Sequence, residues 1–177
     1  MRRSRIVLSV LAALAPATAG ALLMTGRSSA APSKSQALFK KTLLADPATT
    51  AAIKDLLSAR GGIVAPEITF ADLTGDGRSD AVVMVDTGGV AGAVALYVFS
   101  TDGAAEDSDL RAVYRSQRLY RASAEVSDAT LVVTTPRFVE GDDVCCPAKV
   151  VQRAYAWSPG NKTLTRRSSE EKPGPTS

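Results

Sequence analysis

Apolar positions between residues 35 and 62 recur with the spacing of amphipathic helices. Ser35 is placed to cap a first helix that ends at Asp46, and Asp46 then caps a second helix with Pro47 at its first position. Gly61 and Gly62 end the second helix, because glycine accepts the positive φ of a helix C-terminus. The two apolar faces are Leu38, Phe39, Leu43 and Leu44, then Ala52, Ile53, Leu56 and Leu57.

After Pro66 the pattern changes to short apolar runs separated by glycines and acids, which is typical of strands. The connections are too short to return a parallel strand, so the sheet is expected to be antiparallel. The sequence therefore predicts an α+β fold, with an N-terminal helical pair packed on a sheet of about six or seven strands. The candidate strands are residues 68–70, 81–85, 93–99, 112–115, 120–126, 130–135 and 150–157, with 162–166 as an optional last strand.

Residues 1–30 have the pattern of an export signal: arginines at positions 2, 3 and 5, an apolar run at 6–24, and small residues at 28–30. The alternative is an uncleaved signal anchor, since the apolar run approaches the roughly 20 residues that span a bilayer. We expect cleavage, with no membrane association afterwards. Residues 31–167 then form a single α+β domain, and the polar residues 168–177 are predicted to be a disordered tail.

Charge and histidine content exclude several function classes. The formal net charge of +3 includes four arginines and no acids in residues 1–30, so the remaining chain carries 3 − 4 = −1. A chain near neutrality gives no support to nucleic-acid binding, which needs a basic face. The absence of histidine removes the commonest general base and the Ser-His-Asp arrangement. We therefore expect no enzymatic activity.

The loop at 72–80 is the clearest chemical motif. Its oxygen-bearing residues occupy positions 1, 3, 5 and 9, with Gly77 at position 6, which is the spacing of loops that wrap ligands around Ca²⁺. Two alternatives stay open: a structural Ca²⁺ site that fixes a corner between strands, or a metal-free turn built on Asp76-Gly77. The candidate ligands are Asp72, Thr74, Asp76, the carbonyl of Arg78, and Asp80.

This loop lies between two candidate strands and resembles the D-x-[DN]-x-D-G-x-x-D calcium loops of FG-GAP and VCBS-type extracellular β-modules. An EF-hand is excluded, because its position 12 would be Val83, where that motif needs a bidentate Glu. Thr74 departs from the family pattern, which prefers Asp or Asn there. The resemblance covers nine residues and implies a structural, non-catalytic ion.

Cys145 and Cys146 are adjacent and precede Pro147. Exported proteins commonly pair their cysteines, but adjacent Cα atoms are only ~3.8 Å apart across a trans peptide, closer than in most disulfides. A vicinal disulfide closing a turn, two reduced buried thiols and an intermolecular link all stay open. A strained vicinal bond would be easier to reduce, which makes a thiol-redox role an alternative function.

Several motifs together resemble a group of actinobacterial exported proteins and lipoproteins of unknown function, including the LppP/LprE-type. They are the Asp-Leu-Thr-Gly-Asp-Gly corner at 72–77, the apolar strand at 93–99, Cys145-Cys146-Pro147, and the Tyr-Ala-Trp of 155–157. The resemblance spans residues 56–165 and implies a cell-envelope or extracellular location with no established activity. Because the chain lacks the anchoring cysteine of the lipoprotein members, free secretion is favoured over a lipid tether.

These observations predict a secreted, non-catalytic module that binds an unidentified envelope or extracellular partner. The first alternative is the thiol-redox protein described above. The second is a hydrolase that uses two carboxylates, a reaction that needs paired acids flanking a cleft. Its candidate acids are Glu140 with Asp142 and Asp143, or Asp72 with Asp80.

Overall fold

The computed structural model describes residues 33–100 and 110–175. The predicted export signal at residues 1–30 lies outside the described residues. Two helices come first, α1 at Lys34–Ala45 and α2 at Ala51–Ala59. No helix among the described residues is both long enough and apolar enough to cross a bilayer.

Both helices begin at other residues than the sequence predicted. Ser33 is the N-cap of α1: its hydroxyl accepts from the Gln36 N–H, and the Gln36 side chain accepts from the Ser33 N–H. This reciprocal capping box satisfies two backbone donors and therefore prevails over a cap at Ser35. Asp46 is the C-cap of α1, as the predicted end of the first helix requires, but it does not cap α2. Its carboxylate accepts from the Ala48 N–H in a short turn, and Thr50 is the N-cap of α2.

Nine strands follow among the described residues, and their bounds are β1 Ile63–Val64, β2 Thr69–Ala71, β3 Asp80–Asp86, β4 Ala93–Ser100, β5 Arg111–Ser116, β6 Ser123–Ser127, β7 Thr130–Arg137, β8 Lys149–Ser158 and β9 Thr163–Pro173. They form two antiparallel sheets. The first has the order β1-β3-β4-β5, with β2 also paired to β3, and the second has the order β6-β7-β8-β9. Helices combined with antiparallel strands agree with the predicted α+β class.

The predicted single sheet of six or seven strands is wrong in its count. The two-residue β1 is too short to show a periodicity, although its backbone pairs with the end of β3. The division into two sheets occurs between β5 and β6. There the N–H groups of Leu119 and Ala122 donate to the carbonyls of Val94 and Ala93, which holds the connecting segment against the start of β4.

The first sheet is buried on both faces, which explains the continuous apolar runs of β3 and β4. One face shares a core with α1 and α2, where the rings of Phe39 and Phe99 lie 5.3 Å apart. The other face contributes Val82, Leu96 and Val98 to a second core. The second sheet and its neighbours add Leu131, Val133 and Leu164 to that core.

The end of the chain also differs from the prediction, since β9 continues through residues 168–173, where a disordered tail was expected. Strand pairing uses backbone groups, so the polar composition of this segment does not prevent it. Lys149 on β8 forms an ion pair with Glu171 on β9 at 2.6 Å, and Arg137 on β7 contacts the same carboxylate. The hydrogen bond from Lys149 and the nearby Arg137 lower the pKa of Glu171.

Candidate functional site

The acidic loop at 72–80 connects β2 to β3 and is closed by its own backbone. Asp80 begins β3 and is only 1% exposed. One of its carboxylate oxygens accepts from the N–H groups of Leu73 and Thr74, both at 2.8 Å. Hydrogen bonds to a charged acceptor are stronger than neutral ones, so Asp80 fixes the point where the loop enters the sheet.

The other two aspartates make similar contacts closer to the surface. Asp72 accepts from the N–H groups of Gly75 at 2.6 Å and Gly77 at 2.9 Å. Asp76 accepts from the Arg78 N–H at 2.8 Å, which is an Asx turn. Gly75 and Gly77 have φ values of +76° and +80°, which glycine adopts without the strain of a side chain.

Each candidate carboxylate therefore has backbone donors inside the loop, and no cation is needed to satisfy it. Across residues 33–100 and 110–175, no group of three or more His, Cys, Asp or Glu side chains is arranged to hold a metal ion. The loop geometry fits the metal-free alternative, and the Ca²⁺ ligand set of Asp72, Thr74, Asp76, Arg78 and Asp80 stays a prediction.

Cys145 and Cys146 form a vicinal disulfide in the exposed loop between β7 and β8. Asp142 organises this loop, because its carboxylate accepts from the N–H groups of Val139 at 2.9 Å and Ala148 at 3.0 Å. A backbone bridge between Asp143 and Cys146 tightens the turn. Asp142, one of the acids considered for hydrolysis, thus has a structural role.

The segment between β5 and β6 joins this disulfide loop to the sheets. Arg121 donates a hydrogen bond to the carbonyl of Val144, and the ring of Tyr120 packs edge-on against Phe138 at 6.0 Å. Several apolar side chains here are exposed, and Val144 has the largest exposed fraction of this loop, 64%. The disulfide loop therefore rests on the segment that carries Tyr120.

Next to Tyr120, a cleft of about 360 Å³ opens between β5 of the first sheet and β7 and β8 of the second. Tyrosines, arginines and a serine supply its polar groups, and Leu119, Val133 and Pro136 line its apolar part. The lining includes no acidic residue. The polar side chains are Tyr114, Ser116, Arg118, Tyr120, Arg153 and Tyr155.

Burial and a neighbouring tyrosine keep the Tyr114 hydroxyl of this cleft protonated. Burial raises the pKa of Tyr114, and the neighbouring Tyr155, whose ring centre is 5.0 Å away, raises it further. Arg153 donates to the Thr135 hydroxyl at 3.0 Å. Within the described part of the chain, neither Arg118 nor Arg153 forms an ion pair.

Sequence reasoning did not find this cleft, because its residues come from three separate segments, 114–120, 133–136 and 153–155. A weak signal is present: Tyr114 with Ser116, and Arg153 with Tyr155, are two positions apart and so share a strand face. The other arginines near Arg118 have internal partners. Arg115 pairs with Asp46 at 3.1 Å, and Arg121 contacts Val144.

Comparison with known proteins gives one curated relative. The chain is 32% identical over 141 residues to "Lipoprotein CseA" of Streptomyces avermitilis. The alignment covers 79% of this chain but only 62% of that protein, so the chain spans less than two thirds of the relative's length. No family model and no solved structure matches. The finding supports the coarse part of the sequence-based resemblance, since this chain is similar to an actinobacterial lipoprotein.

Proposed function

We propose that this chain is an exported, non-catalytic binding module of the cell envelope or extracellular space, and that the cleft between the two sheets is its binding site. Similarity to a lipoprotein supports the location. The single observation that carries the binding role is a cleft of about 360 Å³ whose lining holds two arginines and no acidic residue. Ligand sites are commonly concave, with apolar walls and a few polar groups.

The chemistry of the cleft supports binding over hydrolysis. Its lining has no carboxylate and no cysteine, and the chain has no histidine. Burial raises the pKa of Tyr114, so this hydroxyl is a poor general base near neutral pH. Three of the five acids considered for hydrolysis are engaged elsewhere, because Asp72, Asp80 and Asp142 all accept backbone hydrogen bonds.

The thiol-redox function stays an alternative, and its support is the exposed position of Cys145 in the disulfide loop. It requires that a partner thiol reach this bond. The Ca²⁺ site likewise stays a proposal. The ligand spacing supports it, whereas the backbone hydrogen bonds of the loop favour a corner that closes without an ion.

The proposed function is tested in two steps. Immunodetection in cytoplasmic, membrane, cell-wall and medium fractions should find the chain outside the cytoplasm, and a purely cytoplasmic signal would refute the proposal. The purified protein should also sediment with isolated cell envelopes in a saturable manner. The double variant Arg118→Gln with Arg153→Gln should sediment less than the wild type. Sedimentation equal to that of the wild type would show that the cleft is not the binding site.

A further inference from the structure

The polar side chains of the cleft are arranged as hydrogen-bond donors. Arg118 and Arg153 carry guanidinium groups, which can only donate. The hydroxyl of Tyr114 stays protonated, and Tyr120 and Tyr155 add two more hydroxyls to the lining. Among the described residues, the one side-chain acceptor that either arginine reaches is the Thr135 hydroxyl, which takes one N–H of Arg153. Tyr114 also hydrogen-bonds to its neighbours Tyr155 and Ser116, so the donors that remain available to a ligand are mainly the guanidinium N–H groups.

We propose that this cleft binds an oxyanion, a carboxylate or phosphate group attached to a small carbon skeleton. This inference rests on the proposed function, because it names the ligand class of the same cleft. Guanidinium groups bind planar carboxylates and phosphates through paired N–H donors, and no acidic side chain of the lining competes for them.

The exposure of the lining residues indicates where each part of the ligand would lie. Arg118 and Tyr120 are exposed and form the entrance, whereas Arg153 and Tyr155 are half-buried and lie deeper. Val133 is buried in the second core and supplies an apolar floor. An oxyanion placed between the two arginines would leave its carbon skeleton against Leu119 and the tyrosine rings. Two charges at different depths favour a monoanionic or dianionic group over a neutral sugar.

Removal of either arginine should leave the fold largely intact. Arg118 is exposed and makes no hydrogen bond or ion pair among the described residues. Arg153 contributes one hydrogen bond to Thr135, so Arg153→Gln keeps a donor at the same position. Arg60→Gln is a matched control with the same change in charge, because Arg60 lies at the end of α2 beside Asp55 and does not line the cleft.

The test is a titration of the isotope-labelled protein with inorganic phosphate, glycerol phosphate and glucuronate, followed by amide NMR shifts at low salt. We expect saturable shifts at Tyr114, Ser116, Leu119 and Tyr155. Arg118→Gln and Arg153→Gln should each weaken the apparent affinity by about tenfold, a typical loss for one charge-assisted contact. Arg60→Gln should bind as the wild type does.

The comparison of glycerol phosphate with glucuronate distinguishes a phosphate ligand from a carboxylate ligand. Preference for glycerol phosphate over glucuronate indicates a phosphate ester, and the reverse preference indicates a carboxylate. Absent or unsaturable shifts, or wild-type affinity in both cleft variants, would overturn the proposal. If the envelope sedimentation is saturable while these shifts are absent, only the oxyanion class falls. If the saturable sedimentation and the NMR shifts are both absent, the proposed binding function is refuted together with the oxyanion proposal.

Discussion

The acidic corner at 72–80 and the cleft between the sheets use charge in opposite ways. In the corner, Asp72, Asp76 and Asp80 all accept hydrogen bonds from the backbone of the same short loop. In the cleft, Arg118 and Arg153 have no acidic partner among the described residues. The corner satisfies its charges internally, whereas the cleft leaves them open.

This difference shows why a conspicuous motif and a functional surface need not coincide. A charged group that is fully hydrogen-bonded inside the protein gains little from a ligand, because the ligand must replace contacts that already exist. A donor that faces an open cleft exchanges only water for the ligand. The corner is therefore best explained as a structural device, and the cleft as a place for recognition.

The largest effect is expected from Asp80→Ala, which tests whether the corner is structural. The substitution leaves the N–H groups of Leu73 and Thr74 without their buried acceptor, and it should lower the free energy of unfolding by about 3 kcal/mol. Urea unfolding measures this change. Asp76→Ala removes the same charge from an exposed position and should cost about 0.5 kcal/mol. Equal losses in the two variants would contradict a special role for Asp80.

Addition of calcium tests directly whether the charges of the acidic corner are satisfied inside the protein, as the comparison with the cleft assumes. If the corner binds Ca²⁺ with the weak affinity of extracellular modules, about 10 mM Ca²⁺ should stabilise the fold by roughly 1.5–2.5 kcal/mol relative to EDTA. The melting temperature would then rise by about 5 °C. Asp72→Asn should abolish the increase. An unchanged melting temperature with calcium would discard the ion and keep the metal-free corner.

Alkaline titration tests whether the Tyr114 hydroxyl of the cleft is a buried, protonated donor. The folded-state pKa of Tyr114 is raised by burial and by Tyr155, so its contribution to stability is fully present below the ordinary tyrosine pKa of about 10. The contribution is lost as the pH rises above that value, by about 1 kcal/mol over the first pH unit. Tyr97 is also buried and adds to the wild-type slope.

Tyr114→Phe should therefore make the stability less dependent on pH above about 10. The free energy of unfolding, measured by urea at several pH values, gives this slope for the variant and the wild type. An identical slope in the two proteins would mean that Tyr114 titrates normally and that its hydroxyl is open to water.

The disulfide loop should give the smallest effect on stability. A bond between adjacent residues closes a minimal ring, so loop entropy predicts a gain of only about 1 kcal/mol or less. Intact mass after alkylation without reductant should show no added groups, and both cysteines should react after reduction. Alkylation of the unreduced protein would refute the vicinal bond. A large change in envelope binding on reduction would favour the thiol-redox alternative.

Sequence patterns located most of the elements of the fold but not their arrangement. The apolar runs at 81–85 and 93–99 correspond to β3 and β4 within two residues, because both strands are buried on both faces. The starts of α1 and α2 were displaced, since Ser33 and Thr50 precede these helices where the sequence predicted caps at Ser35 and Asp46. The extension of β9 was missed, because its pairing depends on the backbone edge of β8.

The sequence by itself determined the local features of this protein: its helices, most of its strands, the aspartate-glycine corner and the adjacent cysteines. Each of these depends on residues that are neighbours along the chain. Only the tertiary structure decided that the strands divide into two sheets and that Arg118, Arg153 and three tyrosines line one cleft. Burial between the sheets brings these distant positions together, and no local spacing encodes that contact.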